Sequence, residues 1–263
     1  MNKILTIAQI TIKGELRNKV VYILTAIAFL FFFLARGCTP GKVNVENGLL
    51  SADQITNIGI IFTFNCIIFW GLSLCGLLAM STLPREIREE TIILTITKPI
   101  KRGLFLAGKF LGMFSIVIIN LMVLAPGFLF LFYLRTGAVT LNIFPSLAVI
   151  LLNFILIISL IFLFSLFLPR AVSALLTLIL YAISLGLSIP FFFERVRGYW
   201  EPSFTSEVLH YSLPQFGGLH LYALSFMSDF FPSAQGLWSA ADIIGYIIVI
   251  WLVMIFVFKR KAL

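Results

Sequence analysis

Six apolar runs divide the chain, at about 18–35, 57–81, 110–133, 144–168, 171–193 and 243–258, and none has a charged residue in its interior. A helix rises ~1.5 Å per residue and a bilayer's hydrocarbon core is ~30 Å thick, so these runs predict six transmembrane helices. The first and last are short and need flanking residues or local thinning of the bilayer. Residues 2–17 follow a different pattern. Asn2, Lys3, Thr6, Gln9, Lys13 and Arg17 fall on one arc of a helical wheel, and Ile4, Leu5, Ile7, Ala8, Ile12 and Leu16 on the other, with Ile10 and Glu15 out of place. That pattern predicts a basic amphipathic helix lying in the membrane interface.

The polar segments between the runs are unequal. Residues 36–56 are rich in Gly, Pro and Asn and read as irregular, whereas 82–109 is the most charged part of the chain. The turns at 134–142 and at Pro169-Arg170 are short and make the third to fifth spans tight antiparallel neighbours. The connection 194–242 is long, and its second part is apolar. One short helix is expected around Phe204, Val208, Leu209 and Tyr211 and another over 219–231, separated by Pro202, Pro214 with Gly217-Gly218, and Pro232. Neither is long enough to span, so both are expected on, or dipping into, the outer leaflet. Internal repeats are not visible.

Composition agrees: 11% of the 263 residues are charged and the mean hydropathy is +1.08. Basic residues fix the expected orientation. With the N-terminus inside, fourteen of the nineteen Lys and Arg residues fall on the cytoplasmic side; Arg36, Lys42, Arg135, Arg195 and Arg197 are the five outside. Both termini are then cytoplasmic. The formal charge of +8 reads as a topology signal and an attraction to anionic lipid, not as a nucleic-acid surface, because it is dispersed over membrane-flanking segments. Cys38, Cys66 and Cys75 form no C-x-x-C and are odd in number, so no disulfide framework follows. The first run lacks a small-x-small cleavage site before Arg36 and is expected to remain in the mature protein.

Candidate chemistry is sparse. Gly103 to Lys109 matches G-x-x-x-x-G-K, but Phe110 stands where a phosphate loop needs Ser or Thr for Mg²⁺, and no strand precedes it. Ion-coupled transport usually needs an ionisable group within the membrane, and the six runs contain only milder polar residues. Asn65, Ser73, Ser115, Asn120, Asn153, Ser159, Ser165, Ser173, Thr177, Tyr181, Ser184 and Ser188 are expected mainly to hydrogen-bond between helices. Asn65 and Asn120 are candidates for a substrate pathway. His210 and His220, with Asp229, are a weak metal signal and read as interfacial polar residues. Glu86, Glu89 and Glu90 alternate with Arg85 and Arg88, which suits a solvated helix face better than acid–base catalysis.

The segment from Pro84 to Lys109 is the most specific part of the sequence. Its charged first half meets Ile92, Ile93, Leu94 and Ile96, and Pro99 then ends that element before a basic stretch. It resembles the first cytoplasmic loop of ABC type-2 (ABC-2) exporter permeases, with Glu86 or Glu89, Thr91, Leu94, Pro99, Arg102, Leu106, Gly108 and Lys109 in the characteristic places. Glu90 replaces the usual glycine and Lys101 the usual small polar residue. Arg17-Asn18-Lys19 after an amphipathic helix, six spans, and an apolar outer connection before the last span extend the resemblance over the chain.

The resemblance implies an all-α membrane subunit with an elbow helix at 2–17 and a coupling helix in the 82–109 loop. A second permease, identical or paralogous, and two separate ABC ATPase subunits complete the transporter. ATP and Mg²⁺ are then bound by the ATPases, and this chain is not itself an enzyme. It also implies that Arg85, Glu86, Arg88, Glu89, Glu90 and Thr91 meet the ATPase. Pro99, Lys101, Arg102, Gly108 and Lys109 position the loop, and Lys3, Lys13, Arg17 and Lys19 anchor the elbow. The implied location is the bacterial inner membrane, with a lean towards hydrophobic cargo from 28 Phe residues. The alternatives are a channel or secondary transporter, or a membrane assembly factor, working without a dedicated ATPase.

Overall fold

The computed structural model describes residues 3–17, 19–38, 61–62, 64–78, 102–136, 141–197, 204–227 and 236–260. Among them every regular element is a helix and no strand occurs. In chain order these are α1 (Lys3–Leu16), α2 (Lys19–Cys38), α3 (Phe64–Leu78), α4 (Arg102–Thr136), α5 (Ile143–Ser165), α6 (Arg170–Arg197), α7 (Phe204–Ser212), α8 (Phe216–Ser225) and α9 (Gly236–Arg260). Four helices contain stretches long and apolar enough to cross a membrane: Gly103–Gly127, Ile143–Ser165, Ala171–Ser188 and Gly236–Val257. The chain is a multi-pass membrane protein. Val21–Leu30 and Phe64–Leu78 are shorter apolar helices.

The core forms around α5, the most apolar helix, which packs against α4, α6, α8 and α9. Ile150, Phe154, Ile157, Ile158, Ile161 and Phe162 are fully buried. Phe110 of α4 lies edge-on to Phe162 of α5 and to Trp251 of α9, with centroids 6.3 and 5.0 Å apart. These contacts join three long helices through large rings, whose preferred edge-to-face geometry adds to the area they bury. The outer faces are apolar too: Leu30, Phe69, Phe130, Leu175, Ile248 and Leu252 are exposed in the isolated chain. A soluble protein does not present such a surface, whereas lipid tails cover it at no cost.

α1 buries one side against the bundle. Ile7, Ala8 and Thr11 are buried, Gln9, Lys13 and Arg17 are exposed, and the buried stripe packs on α4. Leu5 and Ile10 remain exposed, which suits a helix that also meets lipid. α4 begins at Arg102, so Gly108 and Lys109 lie within a helix and not in a loop as the 82–109 boundary assumed. The physical reason is α1 itself. A Cβ at Gly108 would come within 2.7 Å of the Ile7 Cβ, and one at Gly112 within 2.7 Å of the Thr11 Cβ. The two glycines, one turn apart, let α1 settle on the helix across the start of its apolar run.

Candidate functional site: a buried polar node

α8 is the short helix that departs most from its expected place. It packs against α5, α6 and α9, inside the bundle and not upon its surface. It starts at Phe216, so Gly217-Gly218 form its first turn instead of separating two elements. Gly217 faces Ser188 and the Ser184 carbonyl of α6 at a distance that leaves no room for a side chain. Leu219, Ala223 and Leu224 are buried on the same helix.

Hydrogen bonds hold the N-terminal end of α8 from three directions. Ser184 Oγ of α6 donates to the Pro214 carbonyl at 2.7 Å. Asn153 Nδ2 of α5 donates to the Phe216 carbonyl at 3.1 Å. The Gln215 backbone N–H donates to Asp242 Oδ2 of α9 at 3.1 Å, and Ser239 Oγ donates to Gln215 Oε1 at 3.0 Å. A carboxylate at this end meets both an unsatisfied amide and the positive pole of the helix. Asn153 is ten residues into α5 and Ser184 fourteen into α6, or ~15 and ~21 Å along their axes. α8 therefore meets both helices near their middles.

One turn further along, His220 carries the node into α3. It is 4% exposed. Its Nε2 lies 3.0 Å from Asn65 Oδ1, its Nδ1 lies 3.5 Å from the Tyr181 hydroxyl of α6, and its ring is tilted against Phe64 at 6.2 Å. Asn65 Nδ2 is committed to the Ile61 carbonyl at 2.8 Å. The Asn65 oxygen is thus an acceptor, and the imidazole proton is assigned to Nε2. Burial pushes the imidazole down to about 4, so it is neutral near pH 7. For His210 of α7, burial lowers its value while Asp242 opposes that shift. His220 was expected at the interface; the structure buries it because Asn65 and Tyr181 satisfy both ring nitrogens.

The other anticipated residues separate into groups. Asn65 belongs to the node. Asn120 is buried elsewhere, donating from Nδ2 to Thr25 Oγ1 at 2.6 Å and tying α4 to α2. Most span hydroxyls do not bridge helices: Ser73, Ser115, Ser159, Thr177 and Ser188 each donate to the carbonyl four residues back on their own helix. Lys13, Arg17 and Lys19 are exposed, while Lys109 is buried beside α1 with its ammonium 5.8 Å from the Phe105 ring. Arg85, Glu86, Arg88, Glu89, Glu90, Thr91, Pro99 and Lys101 lie outside the described residues, as does Asp229. Among the described residues no three His, Cys, Asp or Glu side chains group to hold a metal. The G-x-x-x-x-G-K segment lies in the first two turns of α4 and does not form a loop that could wrap a phosphate.

Sequence comparison places this geometry in a family. A model described as a protein of unknown function (DUF2705) matches residues 21–263. The chain belongs to the DUF2705 family. No curated protein matches it. The DUF2705 match takes in all of the polar node and the charged segment before α4, while α1 precedes it.

Proposed function

We propose that this DUF2705 protein is the membrane-embedded permease subunit of an ABC exporter of the ABC-2 type. The observation that carries the reading is the seating of α1 on α4. An amphipathic N-terminal helix with Lys13 and Arg17 exposed is clamped through Gly108 and Gly112 to the helix that directly follows the charged segment. A force applied to residues 82–101 is thereby passed to α4 and to a helix resting in the interface. α2 and α3 supply the remaining two of six crossings, both termini are cytoplasmic, and the bacterial inner membrane is the site of action. Two separate ABC ATPases bind ATP and Mg²⁺, and a second permease, identical or paralogous, completes the pathway. Arg85, Glu86, Arg88, Glu89, Glu90 and Thr91 contact the ATPase, and the cargo is hydrophobic.

Co-purification from mild detergent with the products of neighbouring genes tests this reading. The expected result is an associated ATPase that is lost when Glu86, Glu89 and Glu90 are changed to alanine. A stable chain that never retains an ATPase would refute it.

A second reading, a proton-coupled transporter or channel, is favoured by His220. The apolar runs offer no ionisable group, but α8 brings one into the bundle from a connection. Substrate flux in proteoliposomes driven by a pH gradient without nucleotide would select this alternative.

A further inference from the structure

The four stretches able to cross a membrane hold a single carboxylate among them, Asp242 of α9. It lies six residues inside Gly236–Val257, ~9 Å along the helix axis. A charge at that depth is costly and marks a place where a partner or a ligand meets it. The Gln215 N–H engages only Oδ2. No lysine or arginine among the described residues pairs with Asp242; the titratable side chains that face it are His210 of α7 and Tyr246 of α9. Burial keeps the His210 imidazole neutral near pH 7, so it does not cancel the carboxylate's charge.

Aromatic rings frame this carboxylate. Trp238 and Tyr246 stand one turn before and one turn after it, on the same face of α9, and Trp238 is 79% exposed. The Tyr246 hydroxyl donates to the Ser212 carbonyl at 2.9 Å and holds the end of α7 alongside. There Tyr211 lies edge-on to His210 at 5.4 Å and is 72% exposed. Gly245 leaves a notch between these groups, since a Cβ added to it would meet nothing within 4 Å. Further down the same face Val249 and Val253 are exposed. A carboxylate beside open aromatic faces is the chemistry that holds an ammonium group, by charge-assisted hydrogen bonds and by cation–π attraction.

We propose that Asp242, Trp238 and Tyr211 bind the ammonium head of a cationic amphiphile, whose apolar tail lies along Val249 and Val253. The head is held at the carboxylate's depth, and the tail follows α9 deeper into the hydrocarbon core. Counting that amphiphile as cargo rests on the permease reading. Its binding needs no ATPase, so the failure of this site and the failure of the permease reading are separate results.

Scintillation-proximity binding of tritiated dodecyltrimethylammonium to the full chain in maltoside micelles tests the proposal. Saturable binding is expected, displaced by unlabelled dodecylamine but not by neutral dodecanol. Asp242→Asn keeps an oxygen for the Gln215 N–H while removing the charge, and should weaken binding about 10-fold. Trp238→Leu should weaken it about 3-fold. Displacement by phosphatidylethanolamine would assign the site to a lipid headgroup, and its failure to displace would assign it to a single-tailed amphiphile; either result keeps the ammonium site. An absence of saturable binding overturns the proposal. So does displacement by dodecanol as effective as that by dodecylamine, or an Asp242→Asn protein of unchanged affinity. Should Asp242→Asn not fold, Gly245→Leu decides the matter. Its side chain enters open space, so packing is kept; it must block binding, and unchanged affinity overturns the site.

Discussion

At Gly108 and Gly112 the missing side chains are what bring α1 against α4. The atoms that a new Cβ would meet are the Ile7 and Thr11 Cβ atoms, fixed to the backbone, and not the ends of flexible chains. Gly108→Val is therefore expected to cost about 1–3 kcal/mol through overpacking, read as a fall in thermal stability in nanodiscs. Thr25→Val, by contrast, removes a bond to the Val21 carbonyl on its own helix and one interhelical bond from Asn120, the latter expected to be worth only ~0.6 kcal/mol. The glycine spacing was legible in the sequence as a small-xxx-small pair, yet Gly108 drew notice for a phosphate-loop pattern and a loop resemblance. His220 was harder to read. Its partners lie 155 and 39 residues away, and periodicity within a short helix says nothing about such distant contacts.

Elements were more legible than their ends. The runs at 110–133, 144–168, 171–193 and 243–258 each coincide with a long helix, because hydropathy over twenty residues outweighs any local preference. Their limits moved where another helix intervened: α4 extends back to Arg102 under α1, and α8 takes in Gly217-Gly218 against α6. The two short helices were anticipated, whereas the depth of the second was not. Its buried, neutral histidine has a consequence for stability. The folded state resists protonation to about 4 while the unfolded imidazole titrates near 6.5, so folded protein binds fewer protons between those values. Stability should be level above about pH 7 and decline as the pH falls from about 6.5 towards 4. Thermal denaturation should show that decline in the wild type and a shallower one in His220→Gln.

For the molecule as a whole, the distribution of basic residues predicts a testable sidedness. With Cys38, Cys66 and Cys75 first replaced by alanine, single cysteines introduced at Lys13 and Lys261 should resist an impermeant thiol reagent applied to intact cells, whereas one at Lys42 should react. Labelling of Lys13 and Lys42 on the same side would remove the six-crossing arrangement. The same whole-molecule view gives α4 a mechanical meaning. Its 35 residues extend ~52 Å, well beyond the ~30 Å hydrocarbon core. A body that long converts rotation into displacement: a tilt of roughly 10° about its centre would carry each end ~4.5 Å sideways. Pro126 lies within it and removes one backbone bond, so compliance is concentrated beyond the midpoint while the end under α1 stays stiff. α4 is thus built as a lever whose longer, stiffer arm carries α1.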